Sequence, residues 1–405
     1  MTGGTSTVPG IYWLWLAGLA WTSIGVNLLS FGMVWTATAH SASLAGAVLL
    51  AVTLPRVVLG LFGGAIADKI GPVRVMLGAD VVMVSFTAGA AVTVAFTGSH
   101  PVLLITAGLV LGTADAFYLP AAGSVPKFLV PEAGLPRALA ARQMVVYFAS
   151  VIGPVLGGVT VSAAGLLLSF ALGAAGFVGM LLILLLVRRR LPQEPGDDAA
   201  RRPHLLTQIR DGLAFTVSND LLRAVLIMTA AFALFVLPLT SIMVPVVARD
   251  RGWDAAVAGT TAGAFGAGMA ALAVWVMWRS GARRAGSAAI VGMMLTGGGI
   301  VGLALAPSEL LAIAAVLCTG LGAGLFSTHI GPLFVAATPP EYMARVQAVM
   351  MIAQAAPMML AGPAIGVLAD LVPVGVVVMT WGAGAVIVAL GALLSRPLRT
   401  ARRPS

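Results

Sequence analysis

The chain has 405 residues, of which 60% are hydrophobic and only 9% charged, whereas about a quarter of the residues of a soluble domain carry a charge. This composition excludes a soluble enzyme or binding domain, and the single cysteine, Cys318, excludes an intramolecular disulfide. The net charge of +9 is explained by cytoplasmic loops and their attraction to anionic lipid headgroups, so we expect no nucleic-acid partner.

Apolar segments of about 20 to 28 residues recur along the chain, and each is long enough to cross a hydrocarbon core of roughly 30 Å as a helix. We therefore predict an all-α membrane protein with twelve transmembrane helices. The predicted spans are residues 12–36, 43–66, 75–97, 101–126, 138–162, 164–187, 221–247, 256–278, 287–306, 309–336, 346–369 and 374–394.

One long polar segment, RRRLPQEPGDDAARRPHLLTQIRDG, separates the sixth predicted span from the seventh. Its charges and prolines prevent it from entering lipid. It divides the chain into an N-terminal six-helix bundle, a linker and a C-terminal six-helix bundle with a short basic tail. The predicted boundaries are 1–187, 188–220 and 221–405.

Lysine and arginine residues concentrate at one end of the predicted spans. Because loops rich in these residues stay in the cytoplasm, we predict that both termini and the linker are cytoplasmic. Among the loop arginines, Arg249 and Arg251 alone fall on the other side. No Lys or Arg precedes the first span, so we expect it to be retained rather than cleaved as a signal. The expected location is the cell inner (cytoplasmic) membrane, as a multi-pass protein.

The two halves of the chain share a weak duplication. VPEAGLPRALA and TPPEYMARVQA each follow an apolar span, and each places an arginine, Arg137 or Arg345, at the start of the next. IGPVLGGV and AGPAIGVL match at nearly the same separation. We therefore predict two parallel six-helix pseudo-repeats, an arrangement of secondary transporters that bind substrate between the repeats near the midplane.

The segment GGAIADKIGPVRV, residues 63–75, connects the second predicted span to the third. A glycine in the helix permits close packing, and a glycine in the turn permits a sharp bend. The pattern resembles the helix 2/3 signature of the major facilitator superfamily, and the resemblance covers essentially the whole chain. The residues that carry it are Gly64, Asp68, Lys69, Gly71 and Arg74.

In that family, the resemblance implies, this acid and base latch the two halves on the cytoplasmic side in the outward-open state. We expect Gly64 to provide the close helix approach and Gly71 the turn. The signature departs at Pro72, where a basic residue is usual, so the latch has one charge fewer. A plain topology signal is the alternative interpretation of the same charges.

A second motif, GPVLGG, lies in the fifth span and resembles the helix 5 motif of drug/proton antiporters. Its residues are Gly153, Pro154, Gly157 and Gly158. Generic close packing of a helix explains the same glycines. The runs AFYLPAAGSVPKFLVPEAGLPRALAARQ and PPEYMARVQAV are most similar to the bacterial branch that includes enterobactin exporters and macrolide-efflux proteins.

Three ionisable residues, Arg56, Asp80 and Asp115, lie inside predicted spans and away from the membrane interfaces, where each charge is costly unless paired or hydrated. At about 1.5 Å per residue, Arg56 and Asp115 lie at similar depth. A pair there would hold Asp115 ionised until the arginine moved away, which is the outline of a proton switch. Asp115 is therefore the first candidate for the proton-carrying group, and Asp80, which is shallower, is the second. An ion pair with Arg56 or a cytoplasmic cation is the structural alternative for Asp80.

Candidates for lining a substrate cavity are polar or aromatic residues of the first, fourth, fifth, tenth and eleventh spans. They are Asn27, Trp35, Phe117, Tyr118, Gln143, Tyr147, Phe326, His329 and Gln354. Ordinary helix packing is the alternative for the aromatic residues, and a hydrogen-bonded packing role is the alternative for His329.

The sequence contains no nucleotide-binding P-loop and no catalytic or metal-ligand motif, so we expect neither an enzyme nor a cofactor or metal. We expect a monomeric secondary transporter that exports amphipathic organic compounds, such as drugs, antibiotics or siderophore-like molecules, by proton antiport. Its expected partners are this small-molecule substrate, protons and membrane lipids. The alternatives are a proton-coupled importer of a small metabolite and a non-transporting sensor homologue.

Overall fold

A segment that crosses a membrane has no water to hydrogen-bond its backbone N–H and C=O groups. A single segment can pair these groups with one another by forming a helix. The computed structural model describes residues 8–188, 205–279 and 284–401. In these ranges the chain forms helices joined by short turns, with no β-strand. The predicted all-helical membrane fold class is confirmed.

The first part of the described chain contains five helices. They are α1 (Gly10–Thr38), α2 (Ala42–Ile70), α3 (Pro72–Thr97), α4 (Pro101–Leu129) and α5 (Leu135–Val187).

The rest of the described chain contains nine helices. They are α6 (Leu205–Ser218), α7 (Asp220–Phe235), α8 (Val244–Asp250), α9 (Ala255–Arg279), α10 (Ala285–Leu305), α11 (Glu309–Ala337), α12 (Met343–Leu371), α13 (Val374–Ala392) and α14 (Arg396–Thr400).

Eleven helical stretches of the described residues are long and apolar enough to cross a membrane. One of them, Glu132–Val187, has 56 residues and is broken inside α5 at Ala164 and Gly165, where Gly165 has a φ of 64°. Because about 20 residues cross the hydrocarbon core, the two parts have the length for two crossings. This stretch accommodates the fifth and sixth predicted spans.

The seventh predicted span is not one continuous helix. Helices α7 and α8 form its two ends, and a short π-helical segment, Leu239–Met243, lies between them. Pro238 precedes this segment and Pro245 follows it. Proline lacks the backbone N–H of a continuous helix and clashes with the preceding turn, which explains the interruption.

Part of the predicted linker is helical. Helix α6 packs against the start of α12, where Asp211 forms an ion pair of 3.6 Å with Arg345. The ring of Phe215 stacks on that of Tyr342 with 4.1 Å between the centroids. These contacts explain why Leu205–Ser218 forms a helix although the surrounding sequence is polar.

Two short 3-10 turns strengthen the comparison of the two halves. One, Glu132–Gly134, precedes α5, and the other, Pro340–Tyr342, precedes α12. The first residues of the two turns are as far apart along the chain as Arg137 and Arg345, the two arginines of the duplicated sequence. The duplicated sequence thus folds in the same local way in both halves.

Contacts divide the chain into two units, which differ from the predicted bundles near the start of α2 and leave no separate linker, since their boundary falls after residue 202. One unit comprises Met1–His40 and Ala47–Arg202, and the other comprises Ser41–Gly46 and Pro203–Ser405. In the first unit, α1 packs along α5, and α3 packs against α4 and α5. The first turn of α2 belongs with the second unit.

Helix α12 holds that first turn through a carboxylate and a glycine on one face. The Asp370 side chain accepts hydrogen bonds from the backbone N–H groups of Ala42, at 2.9 Å, and Ser43, at 3.0 Å. A Cβ on Gly366 would lie 2.5 Å from the carbonyl oxygen of Ala42, so this approach requires glycine. Asp370 therefore caps a helix that is remote in sequence.

Replacing Asp370 with alanine is expected to lower the stability of the purified protein by about 1 kcal/mol, the usual cost of losing a helix N-cap. Asp370→Asn is the matched control, because its amide keeps one oxygen acceptor and should lose less. Thermal unfolding in one detergent would compare the three proteins. Equal melting temperatures for Asp370→Ala and the unaltered chain would contradict the capping role.

Candidate functional site

Two charged side chains meet inside the first unit. The Nη2 atom of Arg56 on α2 and the Oδ2 atom of Asp115 on α4 form an ion pair. One turn away the two helices touch, since a Cβ on Gly112 would lie 2.1 Å from the carbonyl oxygen of Val52. This close approach of the helices lets the side chains of Arg56 and Asp115 meet, as expected for two residues predicted to lie at similar depth.

Asp80 of α3 lies in a different environment from Asp115. It is 1% exposed, and its Oδ2 atom has no hydrogen-bond partner among the described residues. Arg56, which the sequence offers as a partner, is bonded to Asp115 instead. The structural alternative of an Asp80–Arg56 ion pair is therefore not observed.

Tyr118 of α4 lies near charged residues of the first unit. It is 7% exposed, and its hydroxyl group has no hydrogen-bond partner in the described chain. The charges of Asp80, Asp115 and Arg142 all act on this hydroxyl group. Tyr118, a predicted cavity residue, is thus part of the charged cluster.

Arg142 is the residue of this cluster that sequence reasoning misses, because that reasoning counts it among the cytoplasmic cations although the fifth predicted span, 138–162, contains it. The structure places it in the second turn of α5, which begins at Leu135. Its Nε atom is buried and has no hydrogen-bond partner in the described ranges. Its position after the start of a helical segment is the signal by which it could have been found.

Tyr12 of α1 fixes the neighbouring turn of α5. Its side chain is fully buried, and its hydroxyl group donates a hydrogen bond of 2.6 Å to the carbonyl oxygen of Ala138, one turn before Arg142. The charge of Arg142 also acts on the Tyr12 hydroxyl group. We define the polar cluster as Tyr12, Arg56, Asp80, Asp115, Tyr118 and Arg142.

The turn between α2 and α3 has the geometry expected of its glycine. Gly71 has a φ of 93°, which glycine adopts without strain, and Pro72 is the first residue of α3. Lys69 and Arg74 are exposed. The side chain of Asp68 lies outside the described residues, so the acid–base latch remains a prediction.

The close helix approach expected at Gly64 occurs one residue earlier. A Cβ on Gly63 would lie 2.1 Å from the carbonyl oxygen of Ala116, whereas one on Gly64 would lie 3.9 Å from the Pro120 side chain, an ordinary contact. Successive helical residues point about 100° apart, so only one of the two can face α4 directly. The packing role expected of Gly64 belongs to Gly63.

The glycines of the helix 5 motif face α1. A Cβ on Gly153 would lie 2.3 Å from the Cβ of Asn27, and one on Gly157 would lie 2.8 Å from the carbonyl oxygen of Leu28. Pro154 and Gly158 are also buried. Close packing, the generic interpretation of this motif, describes these contacts.

The remaining cavity candidates of the first unit differ in their surroundings. Asn27 donates a hydrogen bond of 2.8 Å to the Ser23 carbonyl oxygen of its own helix. Trp35 is buried, and its ring stacks on that of Phe31. Phe117 lines an apolar groove of about 510 Å³ formed by α2, α3 and α4. Gln143 is exposed and Tyr147 is half-buried.

In the second unit, two of the three candidates are packed. The ring of Phe326 stacks on that of Phe232 with 4.6 Å between the centroids. His329 is 3% exposed, and its Nδ1 atom lies 2.9 Å from the carbonyl oxygen of Leu325 on the preceding turn. Gln354 is exposed.

Known transporters resemble this chain along most of its length. An uncharacterized MFS-type transporter, YfiS of Bacillus subtilis, is 25% identical over 366 residues, 88% of this chain and 85% of its own. The multidrug efflux pump Tap of Mycolicibacterium fortuitum is 26% identical over 61% of each chain. Macrolide efflux protein A of Enterococcus faecalis is 25% identical over 49% of this chain. The matches span 61% of Tap and 60% of macrolide efflux protein A.

Solved structures share the fold at low identity. The nucleoside transporter NupG, as its D323A mutant, superposes with a TM-score of 0.75 at 14% identity, covering 96% of this chain and all of its own. A POT family transporter in complex with 5-aminolevulinic acid gives a TM-score of 0.73 at 14% identity, covering 95% and 96%. The sequence pattern of the Major Facilitator Superfamily matches residues 14–363. The chain therefore belongs to the Major Facilitator Superfamily of membrane transporters.

Proposed function

We propose that this transporter exports amphipathic organic compounds from the cytoplasm by proton antiport. The observation that carries the proposal is the polar cluster, which places two carboxyl groups, Asp80 and Asp115, inside apolar helices of one unit. Charge at this depth is costly and marks ion or proton pathways in membrane proteins. The names of Tap and macrolide efflux protein A support export rather than import.

Outward pumping against a gradient needs an energy source, and a carboxyl group that alternates between protonated and ionised forms supplies it. The ionised carboxyl group must bind a proton from the outside, and the protonated group must release it to the cytoplasm. One elementary charge that moves inward across 100 mV releases roughly 2.3 kcal/mol, enough for about a fiftyfold gradient of an uncharged substrate. A single carboxyl group therefore suffices in energetic terms.

The contacts favour Asp80 over Asp115 as the proton-carrying group, which reverses the order suggested by sequence alone. Asp115 has a fixed cationic partner in Arg56, which stabilises its ionised form. Asp80 is almost fully buried and its Oδ2 atom is unpartnered in the described chain, so the neutral form is the less costly one there. We assign proton binding to Asp80 and a structural or gating role to the Arg56–Asp115 pair.

The substrate class follows from the chemistry of the surfaces that the helices offer. Sugars and organic acids need several polar or charged partners, and the second half of the chain supplies few of them within its spans. Met350, Met351, Met358 and Met359 near Gln354 provide soft, adaptable contacts instead. We propose lipophilic organic substrates, a monomer surrounded by membrane lipids, an inner-membrane location and cytoplasmic termini.

The turn between α2 and α3 supplies a second element of the proposal. If Asp68 acts in a latch between conformations, Asp68→Asn should lower transport several-fold without reducing the amount of protein in the membrane. Asp220 is exposed and lies outside this turn, so Asp220→Asn is a matched change of one charge. Transport rates normalised to protein abundance would test this role. Normal transport by Asp68→Asn at normal abundance would contradict a latch role for Asp68.

A susceptibility panel tests the proposed function. An efflux-deficient bacterium that expresses the chain should tolerate higher concentrations of some macrolides, cationic dyes or other amphipathic compounds than the same strain with an empty vector. Cells that express Asp80→Asn at equal abundance should lose this protection. Unchanged susceptibility across all compounds, with the protein present in the membrane, would contradict export of this class.

A further inference from the structure

The polar cluster contains two arginines and two aspartates, but only one cation and one acid are joined. Arg56 and Asp115 form an ion pair, while Asp80 Oδ2 and Arg142 Nε have no hydrogen-bond partner in the described chain. An arginine is always charged in a protein, so Arg142 offers a fixed positive charge. The unpaired acid and the unpaired cation are therefore complementary.

Helix geometry places these two residues at the same depth. Asp80 is the ninth residue of α3 and Arg142 is the eighth residue of α5, so both lie about 10 to 12 Å from the starts of their helices. Both helices begin at the same side of the membrane, because α4 returns the chain to the side on which α3 starts. The neighbours of these two residues in sequence, Ala79 of α3 and Ala141 of α5, pack against the same hydrophobic core cluster.

Tyr118 lies near both residues. Its hydroxyl group is buried, lacks a hydrogen-bond partner in the described part of the chain and is acted on by the charges of both Asp80 and Arg142. A hydroxyl group donates one hydrogen bond and accepts others, so it serves either the protonated or the ionised carboxyl group. Three unpartnered buried polar groups in one region require an explanation beyond packing.

We infer that Asp80, Tyr118 and Arg142 form one proton-exchange site, in which Asp80 binds the proton and Arg142 promotes its release. The inference rests on the proposed proton coupling, and it adds Arg142 as a positioning residue and Tyr118 as the bridging hydroxyl group. In the described conformation Asp80 makes no ion pair with a described cation, and burial without one favours the carboxyl group that holds its proton.

Release requires the guanidinium group of Arg142 to approach the carboxyl group. The O–H bond of Asp80 then breaks, its proton passes to water at the side on which α3 begins, and the carboxylate is stabilised by Arg142 and by the Tyr118 hydroxyl group. Arg142 stays protonated throughout, so one proton moves per cycle. The other charged or titratable groups of the cluster are Asp115 and Arg56, which remain paired, and Tyr12 of α1, whose hydroxyl group is bonded to Ala138.

Infrared spectroscopy of the full-length protein in lipid vesicles tests this site without any transported compound. A protonated carboxyl group gives a carbonyl band. A band of this kind that appears in the unaltered protein but not in Asp80→Asn is assigned to Asp80. In Arg142→Gln this band should persist to higher pH by about one unit or more, because a nearby cation that favours the ionised form is lost. Arg142→Lys should restore the original titration.

Arg137→Gln is the matched control, since it removes the same charge from an exposed position of α5 and should leave the band unchanged. If Arg142→Gln does not reach the membrane, Arg142→His gives the same test above about pH 7, where imidazole is neutral. A titration that is identical in the Arg142 variants and the unaltered protein would overturn the inference, as would the absence of an Asp80 band. Failure of the proposed function is separate, because it would show as transport that ignores the proton gradient while the Asp80 band titrates as described.

Discussion

Asp80→Asn is expected to abolish uphill transport while leaving downhill exchange of the same compound largely intact. Asparagine has nearly the shape of the protonated aspartic acid, so it preserves packing at a position that is 1% exposed, but it cannot bind or release a proton. The accumulation ratio in vesicles should fall from as much as about fiftyfold at 100 mV to one. The measurement is substrate accumulation and counterflow in the same proteoliposomes.

Asp220→Asn is a suitable control for that experiment. Asp220 lies at the start of α7, and its side chain is 65% exposed and paired with Arg223, outside the polar cluster. It should accumulate substrate like the unaltered protein. Normal uphill transport by Asp80→Asn would move the proton-carrying role elsewhere, with Asp115 the next residue to test.

Arg56→Ala should be the most destabilising single change in the polar cluster. It leaves the Asp115 carboxylate, whose side chain is 12% exposed, without its cation. Breaking a buried pair costs about 3 to 5 kcal/mol, and we expect about 2 to 4 kcal/mol here because the Arg56 side chain is 35% exposed. The double variant Arg56→Ala with Asp115→Asn should recover at least about 1 kcal/mol, since no stranded charge remains.

Thermal or denaturant unfolding of the purified variants in one detergent measures this recovery. Arg223→Ala is the matched control, because it removes the cation of an exposed pair with Asp220 and should cost less than about 1 kcal/mol. A double variant that is no more stable than Arg56→Ala would mean that Arg56 and Asp115 do not act as partners in solution.

The sequence predicts the helices and the depth of each charge because both follow from fixed local geometry. A run of apolar residues in lipid must be helical, and each residue advances about 1.5 Å, which brings Arg56 level with Asp115. The direction in which a side chain points around its helix is much harder to predict. For this reason the close approach expected at Gly64 lies at Gly63.

Arg142 and Asp370 show where sequence patterns stop being informative. The rule that arginines mark the cytoplasmic side explains Arg142 by topology alone, although its helix begins seven residues earlier. Asp370 caps the first turn of α2, more than 300 residues away in the chain, and no local pattern indicates such a contact. Both residues are polar groups whose partners are set by tertiary packing rather than by neighbours in sequence.

The proposal of proton-driven export is tested most directly by imposing ion gradients on proteoliposomes that contain the unaltered protein and a compound identified by the susceptibility panel. We predict that a pH gradient drives this compound against its own gradient, opposite to the proton flow, and that a protonophore stops the movement. Accumulation that ignores the pH gradient and follows an imposed sodium gradient would contradict it.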